Sequence, residues 1–146
     1  MKDVMRVPIT CRADISIRDA AKIMLKHGIG SVIVVDAHYN IVGILTERDL
    51  MRFLAYKNDD PSLTHVREVM SKNVIVISEN ATLDDAASIM IKHNIKKLPV
   101  VDEDGKLVGI VTTTDLVLAG YKIDEEMRNL ISPRPEEIFE RSFDRL

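Results

Sequence analysis

The sequence has no tryptophan and almost no cysteine. Its 146 residues include a single cysteine, Cys11, with three Tyr and three Phe as the only aromatic residues. One cysteine cannot form an internal disulfide or a cysteine-cluster metal site. A core without tryptophan must be built mainly from Val, Ile, Leu, Met and Ala, and a hydrophobic fraction of 46% is enough for such a core.

The sequence also lacks long apolar runs and a basic excess. No run approaches the roughly 18 residues of a membrane span, and residues 1–10 lack the apolar region of a secretory signal. We therefore expect a soluble cytoplasmic protein. The formal net charge of −3 argues against a general nucleic-acid-binding surface, although it allows a local basic pocket. The length suits one compact domain or two half-domains that share a core.

What the chain does contain is an internal repeat. Residues 19–50 and 85–116 align without a gap at an offset of 66, and more than half of the aligned positions are identical. A repeat of this size is one supersecondary unit present twice, so the fold and any site are expected in pairs. Both copies end in Gly-Ile-x-Thr-x-x-Asp-Leu. Packing alone does not require a Thr and an Asp at that spacing.

Hydrophobic periodicity predicts the order β-α-β-β-α in each copy. Apolar residues at i, i+3, i+4 and i+7 mark a first helix after Ser16 or Thr82, with an Asp three residues later as in a capping box. Uninterrupted apolar runs predict strands that are buried on both faces, and a second helix begins after the Thr of each motif. The predicted strands are Val7–Thr10, Val32–Asp36, Ile41–Thr46, Val74–Ile77, Leu98–Asp102 and Leu107–Thr112.

This order indicates an α/β (α+β) fold made of two β-α-β-β-α repeats. The predicted divisions are 1–54 for repeat 1, 55–66 for a polar linker, 67–120 for repeat 2 and 121–146 for a C-terminal helical extension. One repeat cannot cover both faces of its own sheet. We therefore expect the two repeats to pack against each other about a pseudo-two-fold axis.

The C-terminal extension is predicted to be helical in two parts. A first stripe is broken at residues 132–135, and a short final helix follows at 136–146. We expect the extension to fold onto its own module or a dimer mate, with a partner-docking helix as the alternative. The apolar residues of the two stripes are Ile123, Met127, Leu130 and Ile131, and then Ile138, Phe139 and Phe143.

Three markers occur in order along residues 4–120, and two of them occur in both repeats. Val-Met opens each repeat at 4–5 and 69–70, the segment 95–102 reads IKKLPVVD, and Thr-x-x-Asp closes the aligned blocks. Together they resemble a tandem pair of cystathionine-β-synthase (CBS) domains, the Bateman module. The resemblance implies a regulatory module that binds AMP, ADP, ATP or S-adenosylmethionine in inter-repeat clefts. It also implies a regulated partner protein and a homodimer.

The resemblance places two ligand sites at the Thr-x-x-Asp segments. Each segment should lie at a strand-to-helix junction, where unpaired N–H groups favour phosphate. In similar modules the Asp accepts the ribose hydroxyls, and the partner residues come from the first and second strands of the other repeat. The expected first site contains Thr46, Arg48, Asp49, Ile75, Ile95, Lys96 and Lys97, and the second contains Thr112, Thr114, Asp115, Ile9, Ile29, Gly30 and Ser31.

We expect the two sites to differ in charge. Arg48, Lys96 and Lys97 would give the first site a preference for a polyphosphate or charged phosphate. The second should favour a less charged ligand or stay empty. The alternative for each Thr and Asp is a helix N-cap and a first-turn residue, and for the lysines it is a solvated pair at a turn.

No pattern in the sequence predicts catalysis or a metal site. The four His have neither His-x-x-x-His nor HExxH spacing, and there is no Gly-rich P-loop or nucleophile elbow. We therefore expect no enzyme activity, no catalytic cofactor and no metal. Two other functions stay as alternatives: a structural or assembly module whose cleft is unused, and a nucleic-acid-binding regulator. The sequence does not choose among adenosyl ligands.

Overall fold

The computed structural model describes residues 1–121 and 124–131. It has the predicted α/β (α+β) architecture, with one three-stranded sheet in each repeat. In both sheets the middle strand pairs in parallel with the first strand and antiparallel with the third. The elements are β1 Thr10–Arg12, α1 Ile17–His27, β2 Ser31–Val35, β3 Ile41–Thr46, α2 Glu47–Tyr56, β4 Ile77–Ser78, α3 Leu83–His93, β5 Lys97–Val101, β6 Leu107–Thr112, α4 Thr113–Leu118 and α5 Glu125–Ile131, with a 3-10 turn at Val66–Glu68.

The first helix of each repeat begins and ends where its caps predict. The Ser16 side chain accepts a hydrogen bond from the third N–H of α1, and Thr82 forms a reciprocal capping box with Asp85 at the start of α3. α1 ends at Gly28 (φ 61°) and α3 at Asn94 (φ 54°). Both residues are in the left-handed conformation that closes a helix.

The first strand of each repeat begins later than predicted. β1 covers Thr10–Arg12 rather than Val7–Thr10, and β4 covers Ile77–Ser78 rather than Val74–Ile77. Pro8 has no N–H to donate to a ladder, and Val7 is 87% exposed. The chain before Thr10 therefore does not extend the parallel pairing with β2.

The second strands begin and end one residue earlier than predicted, because the Asp at the expected end belongs to the turn. Asp36 Oδ1 accepts from the N–H groups of His38 and Asn40 at 2.8 and 3.0 Å. Asp102 Oδ1 accepts from Asp104 and Lys106 in the same way, both at 2.9 Å. Each of these aspartates closes a hairpin turn.

The segments before β1 and β4 are exchanged between the repeats. The Arg6 N–H and carbonyl pair with Ile110 of β6 at 2.8 and 2.9 Å, and Ser71 pairs with Ile44 of β3 through two bonds of 2.9 Å. Each repeat therefore adds to its own sheet a piece of chain that precedes the first strand of the other. The division of the chain at 55–66 stays a prediction, and these contacts cross it.

The faces of the two sheets meet in a shared apolar cluster. Beside the cluster, the Leu107 N–H donates to the Tyr39 carbonyl at 3.1 Å, and Lys106 Nζ donates to Asn40 Oδ1 at 2.8 Å. The repeats therefore pack together, as predicted, and their hairpin turns are joined. The buried members of the cluster are Ile33, Val35 and Leu107.

The described part of the C-terminal extension packs on repeat 2. Met127 and Leu130 of α5 are buried in the core formed by β4, α3, β5, β6 and α4, which agrees with the predicted first stripe. Ile123, the break at 132–135, and the final helix with Ile138, Phe139 and Phe143 lie outside the described residues. Within the described ranges, no helix is long and apolar enough to cross a membrane.

Candidate functional site

Each Thr-x-x-Asp segment lies where the third strand of a repeat passes into a helix. Thr46 is the N-cap of α2, and Asp49 Oδ2 accepts from its N–H at 2.9 Å and from its hydroxyl at 3.0 Å. Thr112 is the N-cap of α4, and Asp115 Oδ2 accepts from it at the same two distances. The two junctions therefore have the same internal geometry, and in each one carboxylate oxygen is already held.

The two carboxylates are buried, which capping does not require. Asp49 is 9% and Asp115 4% exposed. The capping box of Thr82 and Asp85 at α3 has the same reciprocal bonds, at 3.0 and 3.1 Å, on the exposed surface. Because burying a carboxylate costs free energy, helix capping alone does not explain where Asp49 and Asp115 lie.

The second oxygen of each carboxylate, Oδ1, lies farther from the Thr and is called the outer oxygen here. Its neighbour differs between the two junctions. Arg6 Nε donates to Asp115 Oδ1 at 2.6 Å across the boundary between the repeats. Among the described residues, the charged group near Asp49 Oδ1 is Arg52 Nη1, at 3.7 Å and from the next turn of the same helix. The outer oxygen is thus engaged by a strong hydrogen bond at Asp115, whereas at Asp49 it faces a more distant charge.

Arg6 is a site residue that the repeated motif does not predict. The residue precedes the aligned blocks, and its contact with Asp115 depends on the exchange of segments between repeats. Its structural counterpart is Ser71, because the two residues make the same backbone pairing on opposite repeats. A signal was present: aligning the two Val-Met markers at 4–5 and 69–70 places Arg6 opposite Ser71.

At the first junction the start of β2 lies against the start of α2. The Gly30 carbonyl accepts from the Glu47 N–H at 3.0 Å, and Ser31 is the register partner of Thr46. Arg48 is exposed on the first turn of α2. Gly30 and Ser31, predicted for the second site, therefore contact the first junction within their own repeat.

The second junction has the same arrangement with different side chains. The Lys96 carbonyl accepts from the Thr113 N–H at 3.0 Å, Lys97 is the register partner of Thr112, and Thr114 is exposed. These contacts of both lysines lie within repeat 2. Their predicted place beside Asp49, and with it the expected basic character of the first site, stays a prediction.

The four isoleucines of the predicted sites are partly buried at the edges of the two cores. Ile75 and Ile95 pack against the core of repeat 2, and Ile9 and Ile29 against the core of repeat 1. Each keeps some apolar surface exposed. Their predicted contacts with an adenine ring stay predictions.

A cavity of about 190 Å³ lies beside Asp49. A larger one, of about 400 Å³, lies between the hairpin turns and includes neither Asp49 nor Asp115. The smaller cavity is the better candidate for a ligand, because a buried carboxylate can orient a polar ligand and volume alone cannot. Its lining residues are Asp49, Arg52, Phe53, Tyr56, Lys57, Glu68 and Val69.

In the described ranges, no group of three His, Cys, Asp or Glu side chains is placed to hold a metal ion.

The sequence profile of the CBS domain matches residues 1–56 and 66–122. This chain belongs to the CBS-domain family. The predicted family is thereby confirmed, and the two matched ranges make the chain a CBS domain pair.

Three relatives show how far the similarity extends. The CBS domain pair of protein MJ0100, solved in complex with 5′-methylthioadenosine and S-adenosyl-L-methionine, is 40% identical with a TM-score of 0.70, over 82% of this chain and 97% of that one. Uncharacterized protein MJ1426 of Methanocaldococcus jannaschii is 33% identical over 82% of this chain and 89% of its own length. L-aspartate semialdehyde sulfurtransferase of the same organism is 40% identical over 80% of this chain, which spans only 22% of that enzyme.

Proposed function

We propose that this CBS domain pair is a regulatory module that binds an adenosyl ligand at its Thr-x-x-Asp junctions. The observation that supports this most is the burial of Asp49 and Asp115 in capping boxes that do not need to be buried. Further support comes from the 40% identical CBS pair in complex with two adenosyl compounds. The activity of the sulfurtransferase does not transfer to this chain, which spans only 22% of that enzyme.

The chemistry of the junction suits a ribose. Each carboxylate has one oxygen fixed by the N–H and hydroxyl of its Thr, so its orientation is set before a ligand arrives. The outer oxygen can then accept hydrogen bonds from ribose hydroxyls, and such bonds to an ionised acceptor are stronger than those between neutral groups. A preorganised acceptor also lowers the entropic cost of binding.

The remaining predicted residues would complete the two sites. We propose that Ile75 with Ile95, and Ile9 with Ile29, flank the adenine rings. Arg48, Lys96 and Lys97, together with the hydroxyls of Ser31 and Thr114, would contact the 5′ substituent, which in AMP, ADP or ATP is a phosphate. Gly30 lies beside the Glu47 side chain, which a Cβ at this position would approach to 3.4 Å.

The regulatory output would be a change in how repeats or copies pack. A ligand that prefers one arrangement shifts the population toward it, and a partner protein can then recognise that arrangement. We propose that the module pairs as a homodimer. The exposed apolar residues Met51 and Leu54 of α2 provide surface for such an interface.

The test is titration calorimetry of the full chain with S-adenosylmethionine, 5′-methylthioadenosine, AMP, ADP and ATP. The matched variants are Asp49→Asn, Asp115→Asn and both together, with Asp85→Asn as the control for an exposed capping box. Since Asn still accepts a hydrogen bond in the cap, these changes should leave the fold intact. We expect the double variant to bind at least about tenfold more weakly, or about 1.4 kcal/mol.

Two results would contradict the proposal. If the unmodified protein gives no heat with any of these ligands, the assembly module is the better function. If the double variant binds as tightly as the unmodified protein while Asp85→Asn is also unchanged, the junctions are not the site. A gel-shift assay with RNA at physiological salt tests the nucleic-acid alternative separately.

The lysines need a test of their own. A Lys96→Ala, Lys97→Ala double variant should bind ATP more weakly and 5′-methylthioadenosine as before, because only ATP carries phosphate. Repeating the titration in Asp49→Asn and in Asp115→Asn shows which junction the lysines serve. Unchanged ATP affinity in all backgrounds would remove the role in phosphate binding.

A further inference from the structure

We propose that Arg6 acts as a latch on the second junction, which means that its guanidinium holds the Asp115 carboxylate until a ligand displaces it. The latch would set the order in which the two sites fill. It engages the carboxylate oxygen that a ribose would use, so a ligand at Asp115 must displace it. Within residues 1–121 and 124–131, no group engages Asp49 Oδ1 as closely, so a ligand there has no such contact to displace. This inference rests on the proposed function of the junctions as adenosyl sites.

The contact satisfies Asp115 in the absence of ligand. Oδ2 already accepts from the N–H and hydroxyl of Thr112, and Oδ1 accepts from Arg6 Nε at 2.6 Å. The Asp115 side chain is buried, whereas that of Arg6 is 60% exposed. The guanidinium therefore covers the carboxylate from the solvent side and can swing away into water when a ligand takes its place.

The first junction serves as an internal control. Ser71 makes the backbone pairing with Ile44 that Arg6 makes with Ile110, but its short side chain carries no charge. A cavity lies beside Asp49, and Arg52 approaches Oδ1 only to 3.7 Å. The two junctions differ in several side chains, but the one at the exchanged position, Arg6 or Ser71, decides whether the outer oxygen is engaged before a ligand arrives.

The size of the effect follows from the nature of the contact. Displacing Arg6 costs one charge-assisted hydrogen bond, reduced because the exposed guanidinium regains water. The backbone pairing between Arg6 and Ile110 need not break. We therefore expect a neutral adenosyl ligand to bind Asp115 about three- to tenfold more weakly than it would without the latch.

The experiment uses 5′-methylthioadenosine, whose neutral 5′ group removes any attraction between Arg6 and phosphate. In the Asp49→Asn background, where the second junction is isolated, Arg6→Ala should raise the affinity about three- to tenfold. Arg6→Gln, which keeps most of the side chain but not the charge, should do nearly the same. Thermal unfolding confirms that each variant is folded.

The reciprocal change installs the latch on the other side. In the Asp115→Asn background, Ser71→Arg should weaken binding at Asp49 by a similar factor, because residue 71 occupies the equivalent backbone position. If the protein binds 5′-methylthioadenosine but Arg6→Ala leaves the affinity unchanged or weakens it, the latch is contradicted and the proposed function is not. No heat from any adenosyl ligand in the unmodified protein would contradict the proposed function, and the latch with it.

Discussion

The two Thr-x-x-Asp junctions share the same N-cap and the same bonds to the inner carboxylate oxygen, Oδ2, and both carboxylates are buried, but the covering of the outer oxygen, Oδ1, differs. Over Asp115 lies Arg6, and beside Asp49 lies a cavity. Arg6 lies outside the aligned blocks, and so do all the residues that line the cavity except Asp49. The difference arises largely from the exchanged segments that precede β1 and β4, where Arg6 corresponds to Ser71. In a pseudo-symmetric pair, the segments outside the repeated block can therefore make two equivalent sites unequal.

The exchanged segments also pack differently on the two sheets, and this difference predicts the largest effect on stability. A Cβ at Gly43 would lie 2.5 Å from Met70 Sδ and 2.8 Å from the backbone oxygen of Ser71, whereas at Gly109 its three nearest atoms all belong to the Met5 side chain. Because a flexible Met can move and a paired backbone cannot, we expect Gly43→Ala to cost about 3 kcal/mol and Gly109→Ala about 1 kcal/mol. Urea unfolding measures both.

Second-site changes separate the collision with a Met side chain from the collision with the backbone of Ser71. Met5→Ala should recover most of the loss in Gly109→Ala relative to Met5→Ala alone, since it removes the colliding side chain. Met70→Ala should recover only part of the loss in Gly43→Ala, because the Ser71 oxygen stays in place. Equal costs at the two glycines would mean that both segments yield to the same extent.

The next largest effect compares the two junction carboxylates as structural groups. Removing either Asp loses a reciprocal cap worth about 1 kcal/mol, but Asp115→Ala also loses the hydrogen bond from Arg6, worth about another 1 kcal/mol. Unfolding experiments should therefore give a loss of about 2 kcal/mol for Asp115→Ala and about 1 kcal/mol for Asp49→Ala. Asp85→Ala, in an exposed cap, is the control. A loss no larger at Asp115 than at Asp85 would show that the Arg6 contact adds nothing to stability.

A third comparison concerns the hairpin turns, where Tyr39 stands at the position of Gly105. Both have positive φ, 63° at Tyr39 and 77° at Gly105, and a side chain with a Cβ is strained there by roughly 1 kcal/mol. We expect Tyr39→Gly to stabilise the protein by up to about 1 kcal/mol and Gly105→Ala to destabilise it by about the same amount. A Cβ at Gly105 meets no atom within 4 Å, so the second measurement isolates the backbone cost. No destabilisation there would contradict the expected strain.

Local patterns in the sequence correctly predicted the helix bounds and strand ends that local interactions determine. The bounds of α1 and α3 follow from their caps and periodicity, and β3 and β6 have the predicted ends. The limits of the first strands were wrong because Arg6 and Ser71 pair with the opposite repeat, a long-range choice that periodicity does not contain.

The candidate site was predictable to a similar degree. The Thr-x-x-Asp motif located both carboxylates, since a capping box is a local structure. Arg6 could not be placed because its contact with Asp115 joins residues from opposite ends of the chain. The lysines at 96–97 were assigned to a junction by resemblance. Their described contacts are set by how β5 meets α4, which only the folded chain shows.

The smallest expected effect contrasts the first strands of the two sheets. Cys11 pairs with Val34 in β2, and Ile77 is its counterpart opposite Val100 in β5. Burial raises the pKa of the Cys11 thiol from 9.0 to about 11. A pKa that is higher in the folded state contributes stability that is intact below pH 9 and is lost as the pH rises toward 11. At pH 9.5 the loss should be about 0.8 kcal/mol.

The measurement is the change in unfolding free energy between pH 7 and pH 9.5, for the unmodified protein and for Cys11→Val. The variant has a side chain of similar volume and no thiol, so it should lose about 0.8 kcal/mol less over this interval. Because the two proteins differ only at residue 11, the difference in their pH dependence comes from the Cys11 thiol in the first sheet. The counterpart in the second sheet, Ile77, does not titrate. Equal pH dependence in both would mean that the folded protein lets the thiol ionise at its ordinary pKa.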